Sequence, residues 1–202
     1  MPEGYEHLVV RTFLFRLLSF ALGPEHTVGS EQFVYWIASD PSRSLAPDVF
    51  VRLNTPHPRQ LGKWQTWEHG GAPDLAVEIV SPNEYAGRAW EKKLADYHEL
   101  GIKELVRFDP EAREGERLRV WDRVEGDLVE RRIVEDRTPC LTLGLGWTVR
   151  WIPSPNRGGE YLGLRLLDED GRLLRTEEEG TEARIRELEE QLRRAQGGAE
   201  PK

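Results

Sequence analysis

Two acids and a pair of lysines are the residues here whose types and spacing could do chemistry. Glu78 lies inside the stretch 73–82, PDLAVEIVSP, where Leu75, Ala76, Val77, Ile79 and Val80 make a short apolar run. A run of that length bounded by prolines and a serine reads as a strand buried on both faces. An ionised carboxylate in such a place is costly to desolvate and calls for a cationic or metal partner. Alternation along the strand puts Asp74, Ala76, Glu78 and Val80 on one face, so the partner must reach that face. Asp48, which follows Pro47 at the start of a second strand over 48–53, supplies another acid, and a helix further on carries Lys92 and Lys93. Two carboxylates on neighbouring strands offer hard oxygen ligands suited to Mg2+ or Mn2+. A lysine beside them can orient a water or offset charge on a phosphate oxygen. Together they form a minimal set for metal-assisted phosphodiester hydrolysis. The same residues also admit quieter readings. Asp48 fits a strand-opening turn, Glu78 and Lys93 fit a buried ion pair, and Lys92 fits a solvated helix surface. Asp74 fits either the turn into the strand or an outer ligand.

The elements that must position these groups follow from the pattern. Apolar residues spaced three and four apart over 5–22 predict an amphipathic helix, stopped at Gly23-Pro24. QFVYWI over 32–37 is β-branched and aromatic and reads as the first strand. The strands over 48–53 and 73–80 come next, separated by a loop-like region over 54–72 that holds Trp64 and Trp67. A helix over 86–100 ends at Gly101, a natural C-terminal cap. A strand over 104–108 follows, then a hairpin over 117–134 around Glu125-Gly126-Asp127. Two further β-like runs cover 140–152 and 161–167. The order predicts a mixed α/β (α+β) fold, with a domain over 1–167 and a charged tail over 168–202. In that tail Ile185, Leu188, Leu192 and Ala195 recur at helical spacing, predicting a short amphipathic or coiled-coil helix. Residues 182–196 are thus a candidate seam for a second copy or another protein.

Composition narrows the function classes. The 202 residues carry 36 acidic against 28 Lys and Arg side chains, a net charge of -8, which argues against a protein that coats nucleic acid. A single cysteine, Cys140, excludes an internal disulfide framework. No apolar run reaches the roughly 20 residues of a membrane span, and the opening MPEGYEH lacks a secretory layout, so the expectation is a cytoplasmic protein. The histidines His7, His26, His57, His69 and His98 show no zinc spacing. His7 opens the first helix, where a capping or surface role competes with a place near the site. Trp64 and Trp67 fit base stacking or core and lid packing, and Cys140 fits a small buried residue.

Three blocks, LAPDVFV, PDLAVEIVSP and EKKLADYHELGIKELVRFDP, occur in this order. With them the chain resembles the Uma-two family of restriction endonucleases, a branch of the PD-(D/E)xK nuclease superfamily, over about residues 5–165. The resemblance implies a restriction-endonuclease-like core, a central mixed sheet flanked by helices, with added hairpins and the C-terminal helix beyond it. It places the first motif acid on Asp48 and the second on Glu78. Where the superfamily pattern has a lysine two residues later, this chain has Val80. The resemblance assigns the migrated lysine to Lys93, with Lys92 as its neighbour, and offers Glu6 as an added acid on the first helix. The implied activity is Mg2+- or Mn2+-dependent hydrolysis of DNA. The alternative is the same fold kept as a non-catalytic binding module acting through its tail helix.

Overall fold

Every residue from Leu75 to Ile79 is buried, and the rest of the molecule is layered around that strand. The computed structural model describes residues 4–56, 62–81, 87–155 and 158–197. Ala86 and Pro82, at the edges of the predicted helix and strand, and His57 lie outside the described residues. In chain order the elements are α1 (Tyr5–Leu22), β1 (Thr27–Gly29), β2 (Phe33–Tyr35), β3 (Ser44–Leu45) and β4 (Val49–Arg52). After these come β5 (Lys63–Gln65), β6 (Leu75–Ile79), α2 (Gly87–Leu100), β7 (Glu104–Phe108), β8 (Leu118–Val124) and β9 (Asp127–Arg131). The series ends with β10 (Arg137–Cys140), β11 (Leu145–Pro153), β12 (Glu160–Leu167) and α3 (Glu177–Gly197). No helix among the described residues is long and apolar enough to cross a membrane.

The central sheet has six strands in the order β1-β4-β6-β7-β8-β9. Its one parallel pair, β6 with β7, is joined through α2, while the other neighbours are antiparallel. The result is a mixed α/β fold, as the element order predicts, built on the mixed sheet with flanking helices that the family resemblance implies. Alternation along β6 sends Leu75, Val77 and Ile79 to one face, where they pack with Leu14, Leu17 and Leu18 of α1 and with Trp147 and Leu164 of the sheet β10-β11-β12. Ala76 faces the other way, into a second cluster with Phe50, Leu105, and Tyr97 and Leu100 of α2. Glu78 shares the Ala76 face.

Local rules account for the ends of the elements. Gly101 takes φ 89° and donates its N–H to the Tyr97 carbonyl at 3.2 Å, closing α2 in the left-handed geometry that glycine tolerates. Between β8 and β9, Glu125 and Gly126 both have positive φ (51° and 99°), as a two-residue hairpin turn requires. The N-terminus of α3 is a capping box: the Glu179 N–H donates to Thr176 Oγ1 at 3.1 Å, and the Thr176 N–H donates to Glu179 Oε2 at 2.8 Å. The guanidinium of buried Arg165 grips the same Glu179 at 2.9 and 2.8 Å, and Arg16 of α1 pairs with Glu178. The first turn of α3 is therefore fastened to the body.

One expected element sits elsewhere. The strand within QFVYWI, β2, does not open the central sheet; it lies in a small separate sheet of order β3-β2-β5. The strand beside β4 is β1, with Val28 across from Val51. Alternating apolar residues identify a strand but not its neighbour, and here Val34 is buried against Trp64 and Leu45 rather than beside β4. Trp64 itself belongs to β5, fully buried with its Nε1–H donated to the Gly71 carbonyl at 2.9 Å, so base stacking is closed to it.

Candidate active site

Glu78 meets its partner from α2. Lys93 Nζ donates to Glu78 Oε2 at 2.6 Å, and the Tyr97 hydroxyl, one helical turn on, donates to Oε1. Residues four apart share a helix face, so one face of α2 presents both groups to the strand. The carboxylate is 4% exposed. Burial pushes its pKa up from the ordinary 4.5 to about 7; Lys93 and the Tyr97 hydroxyl pull it down, while the charge of Asp48 pushes it further up. Desolvation outweighs one lysine because Lys93 is itself partly open to solvent, with 28% of its side chain exposed.

Asp48 stands on the adjoining strand. Val49 pairs with Val77 in the antiparallel β4–β6 register, so one step further Asp48 falls opposite Glu78. Its Oδ2 accepts the Ile79 N–H at 2.7 Å, and its backbone carbonyl accepts the Ser30 hydroxyl at 2.7 Å. From the first turn of α1, His7 brings Nε2 to 3.3 Å from Asp48 Oδ1 and 2.9 Å from the Ile79 carbonyl oxygen. The three elements expected to meet, the start of β4, the middle of β6 and α2, thus do meet. Asp48, Glu78 and Lys93 come together, and His7 joins them from α1.

The remaining candidates go elsewhere. Lys92 is on the exposed side of α2, and Glu6 is exposed on α1 while its neighbour His7 turns inward. Asp74 shares the Glu78 face at the opposite end of β6, where it is held by Lys103 Nζ at 2.7 Å, by Arg52 Nη1 at 3.2 Å and by the Leu53 N–H at 2.8 Å. That carboxylate already has its partners and stitches β4 to β6.

Two residues the sequence did not single out line the site. Tyr97 could have been found from its spacing to Lys93. Arg107 pairs with Glu78 across the parallel β6–β7 ladder, so it shares that face, and its guanidinium lies 5.4 Å from the Trp90 ring centre. No local pattern marks it. Glu78, Lys93, Arg107 and Trp90 line a recess of about 40 Å3, roomy enough to admit water. A larger apolar cleft of about 560 Å3 between α1 and the start of α3 is lined by none of Asp48, Glu78 and Lys93, so size alone does not point to the chemistry.

Among the described residues no three His, Cys, Asp or Glu side chains form a ready-made metal cluster. The donor set at this site is instead two carboxylates and the Ile79 carbonyl, all hard oxygens. Mg2+ binds protein through one or two carboxylates and keeps several waters, so the residues present fit it. The charge balance points the same way: the charge of Asp48 holds back the ionisation of Glu78, and a cation between the two acids would relieve it.

No curated protein matches the chain. Its backbone resembles a solved structure from Anabaena variabilis ATCC 29413, described as a "putative nuclease belonging to DUF820", with TM-score 0.52, 16% identity, and coverage of 71% of this chain and 76% of that one. At that identity the likeness speaks for the fold. The model of the Uma2 family, described as "Putative restriction endonuclease", matches residues 1–151 of the 202. The chain belongs to that family.

Proposed function

We propose that this protein is a Mg2+- or Mn2+-dependent endonuclease that hydrolyses phosphodiester bonds in DNA, with Asp48 and Glu78 as metal ligands and Lys93 as the assisting cation. The observation that carries the reading is the convergence of Asp48 and Glu78 from adjacent strands with Lys93 Nζ 2.6 Å from Glu78, in a member of a restriction-endonuclease family. A bound divalent ion supplies Lewis-acid activation of water and neutralises charge on the phosphate. The chain's own groups do the rest. Tyr97 fixes one oxygen of Glu78, and the Ile79 N–H fixes one oxygen of Asp48. Lys93 holds positive charge beside Glu78 at the mouth of the recess, where it can orient the attacking water and offset charge on the phosphate. Arg107 adds a second cation to the same recess. The net charge of -8 leaves DNA contact to this local set. The natural setting of the reading is the cytoplasm.

The test is cleavage of supercoiled plasmid and of single-stranded DNA with Mg2+ or Mn2+, wild type beside Glu78→Gln from identical purifications. Cleavage by wild type alone supports the reading. Equal cleavage by both overturns it, since the activity then does not pass through Glu78.

A second reading, that the fold serves as a binding module, draws on α3. Ile185, Leu188 and Leu192 are about half exposed on one stripe of that helix. The stripe has heptad spacing, with Ile185 and Leu192 at a and Leu188 at d, which puts Arg184 at g and Glu189 at e. In a parallel pair these two face each other across the seam. That complementarity fits a second copy of this chain. Deleting residues 180–202 should convert a dimer to a monomer in sedimentation equilibrium; a wild type that is already monomeric at high micromolar concentration removes this reading.

A further inference from the structure

His7 does more than tie α1 to the sheet. Its neighbours along the inward side of the helix, Val10 and Leu14, are buried in the core, so α1 is held firmly and the ring is delivered to one place. There Nε2 faces two oxygens at once, the Ile79 carbonyl at 2.9 Å and Asp48 Oδ1 at 3.3 Å. Both side chains are nearly closed off, each 13% exposed. A carbonyl oxygen only accepts, so in this arrangement Nε2 carries the proton and donates it to the Ile79 carbonyl, with Asp48 Oδ1 close beside it. Nitrogen, carboxylate oxygen and carbonyl oxygen therefore surround one small positive centre. In octahedral coordination with bonds of about 2.1 Å, neighbouring ligand atoms stand about 3 Å apart. Nε2 lies at that spacing from each of the two oxygens, so an ion could take the proton's place with little movement of the chain.

We propose that His7 is itself a ligand of the divalent ion at this site, through Nε2, alongside Asp48 and the Ile79 carbonyl. The inference rests on the reading of the site as a metal centre. On binding, the Nε2 proton passes to solvent while Nδ1 takes one up, so the neutral ring presents the Nε2 lone pair to the ion. An imidazole nitrogen is a softer donor than carboxylate or water. It favours Mn2+ over Mg2+ along the usual order of ligand preference, so His7 tilts a site otherwise built of oxygens towards manganese.

The experiment is pulsed electron paramagnetic resonance of Mn2+ bound to the full chain, with no DNA present. Wild type should show nitrogen modulation of the manganese signal. Growth with 15N-histidine should change that modulation in the manner of the isotope, a result that needs no variant. His7→Gln, whose amide can still donate to the Ile79 carbonyl, should lose the modulation, weaken Mn2+ binding by about tenfold or more, and lower the ratio of Mg2+ to Mn2+ dissociation constants. Bound Mn2+ without nitrogen modulation in wild type, or modulation that persists in His7→Gln, overturns the role of His7 and leaves the carboxylate site standing. Failure of wild type to bind Mn2+ at all overturns both, so the two failures are distinct.

Discussion

Replacing Glu78 by glutamine turns the buried carboxylate into a measurable pH dependence of stability. In the folded chain Glu78 titrates at about 7 against an ordinary 4.5. Between those values the folded state keeps a proton that the unfolded state has released. Stability is therefore fully present below pH 4.5, falls as pH rises through the window, and levels off above about 7. At 1.36 kcal/mol per pH unit, the displacement corresponds to about 3 kcal/mol. The glutamine side chain would keep the shape of the original and an acceptor for Tyr97 but would have no proton to lose. Other shifted groups, such as buried Glu104, are common to both proteins and cancel in the difference. Urea denaturation at a series of pH values should show the two proteins close together at about pH 5 and the variant ahead by about 3 kcal/mol at about pH 8. Parallel curves would refute the reasoning, because they would mean that Glu78 ionises in the folded state as easily as in water.

A metal ion should act on the same quantity with opposite sign. The folded wild type offers a paired, ionised Glu78 to the cation, and a ligand present at about a hundred times its dissociation constant stabilises by about 2.7 kcal/mol. Mn2+ at about pH 8 should then close most of the gap to Glu78→Gln, while leaving the variant itself nearly unmoved. A variant stabilised by Mn2+ as much as wild type would place the ion away from Glu78.

Three further outcomes follow from the same geometry. Lys93→Met removes the cation that pulls the Glu78 pKa down, so the pH-stability curve should break at a higher pH than in wild type, and DNA cleavage should fall by roughly a hundredfold or more; a break at the wild-type pH would separate Lys93 from Glu78. Tyr97→Phe leaves one oxygen of a buried carboxylate without its hydroxyl donor and should cost about 1–3 kcal/mol in urea denaturation at about pH 8, whereas no loss would mean the bond is not made in solution. Thr176→Ala opens the capping box of α3 and should cost about 1 kcal/mol, seen as faster hydrogen exchange over the first turn of that helix and unchanged exchange in β6.

Much of this arrangement is legible in the chain because each clue is local. The helix stop at Gly23-Pro24, the apolar run around Glu78, the cap at Gly101 and the Glu125-Gly126 turn all describe what neighbouring residues do to one another, and α1, β6, α2 and the β8–β9 hairpin lie where those clues put them. What local clues do not carry is which elements become neighbours. β1 has only three residues and ends in Gly29, where a Cβ would come within 2.2 Å of the Phe50 ring. Its signal is a close approach visible only after folding. QFVYWI carries the stronger β pattern, yet β2 serves a side sheet. For the same reason a place at the site is only one of several roles that the pattern allows His7, and Arg107 carries no signal at all. One reaches the site from the far face through α1 and the other through the β6–β7 register.

The absence of a strand lysine has a physical consequence. At position 80 the chain carries Val80, buried, with its N–H donated to the Phe108 carbonyl at 2.8 Å, and both polar partners of Glu78 ride on α2 instead. A lysine on β6 would be placed by the sheet's own hydrogen bonds, whereas Lys93 and Tyr97 are placed by how α2 sits on the sheet. That placement is set by apolar packing: Tyr97 and Leu100 are buried with Ala76, Phe50 and Leu105. The ionisation of Glu78 is therefore governed by the same cluster that docks the helix. A shift of α2 large enough to part Nζ from Oε2 also parts the Tyr97 hydroxyl from Oε1, leaving a buried acid with neither its cation nor its donor. Such an acid keeps its proton at neutral pH, and a protonated Glu78 is no metal ligand. Packing of α2 and ionisation of Glu78 thus rise and fall together, which is how a chain without the strand lysine can keep this acid poised beside Asp48.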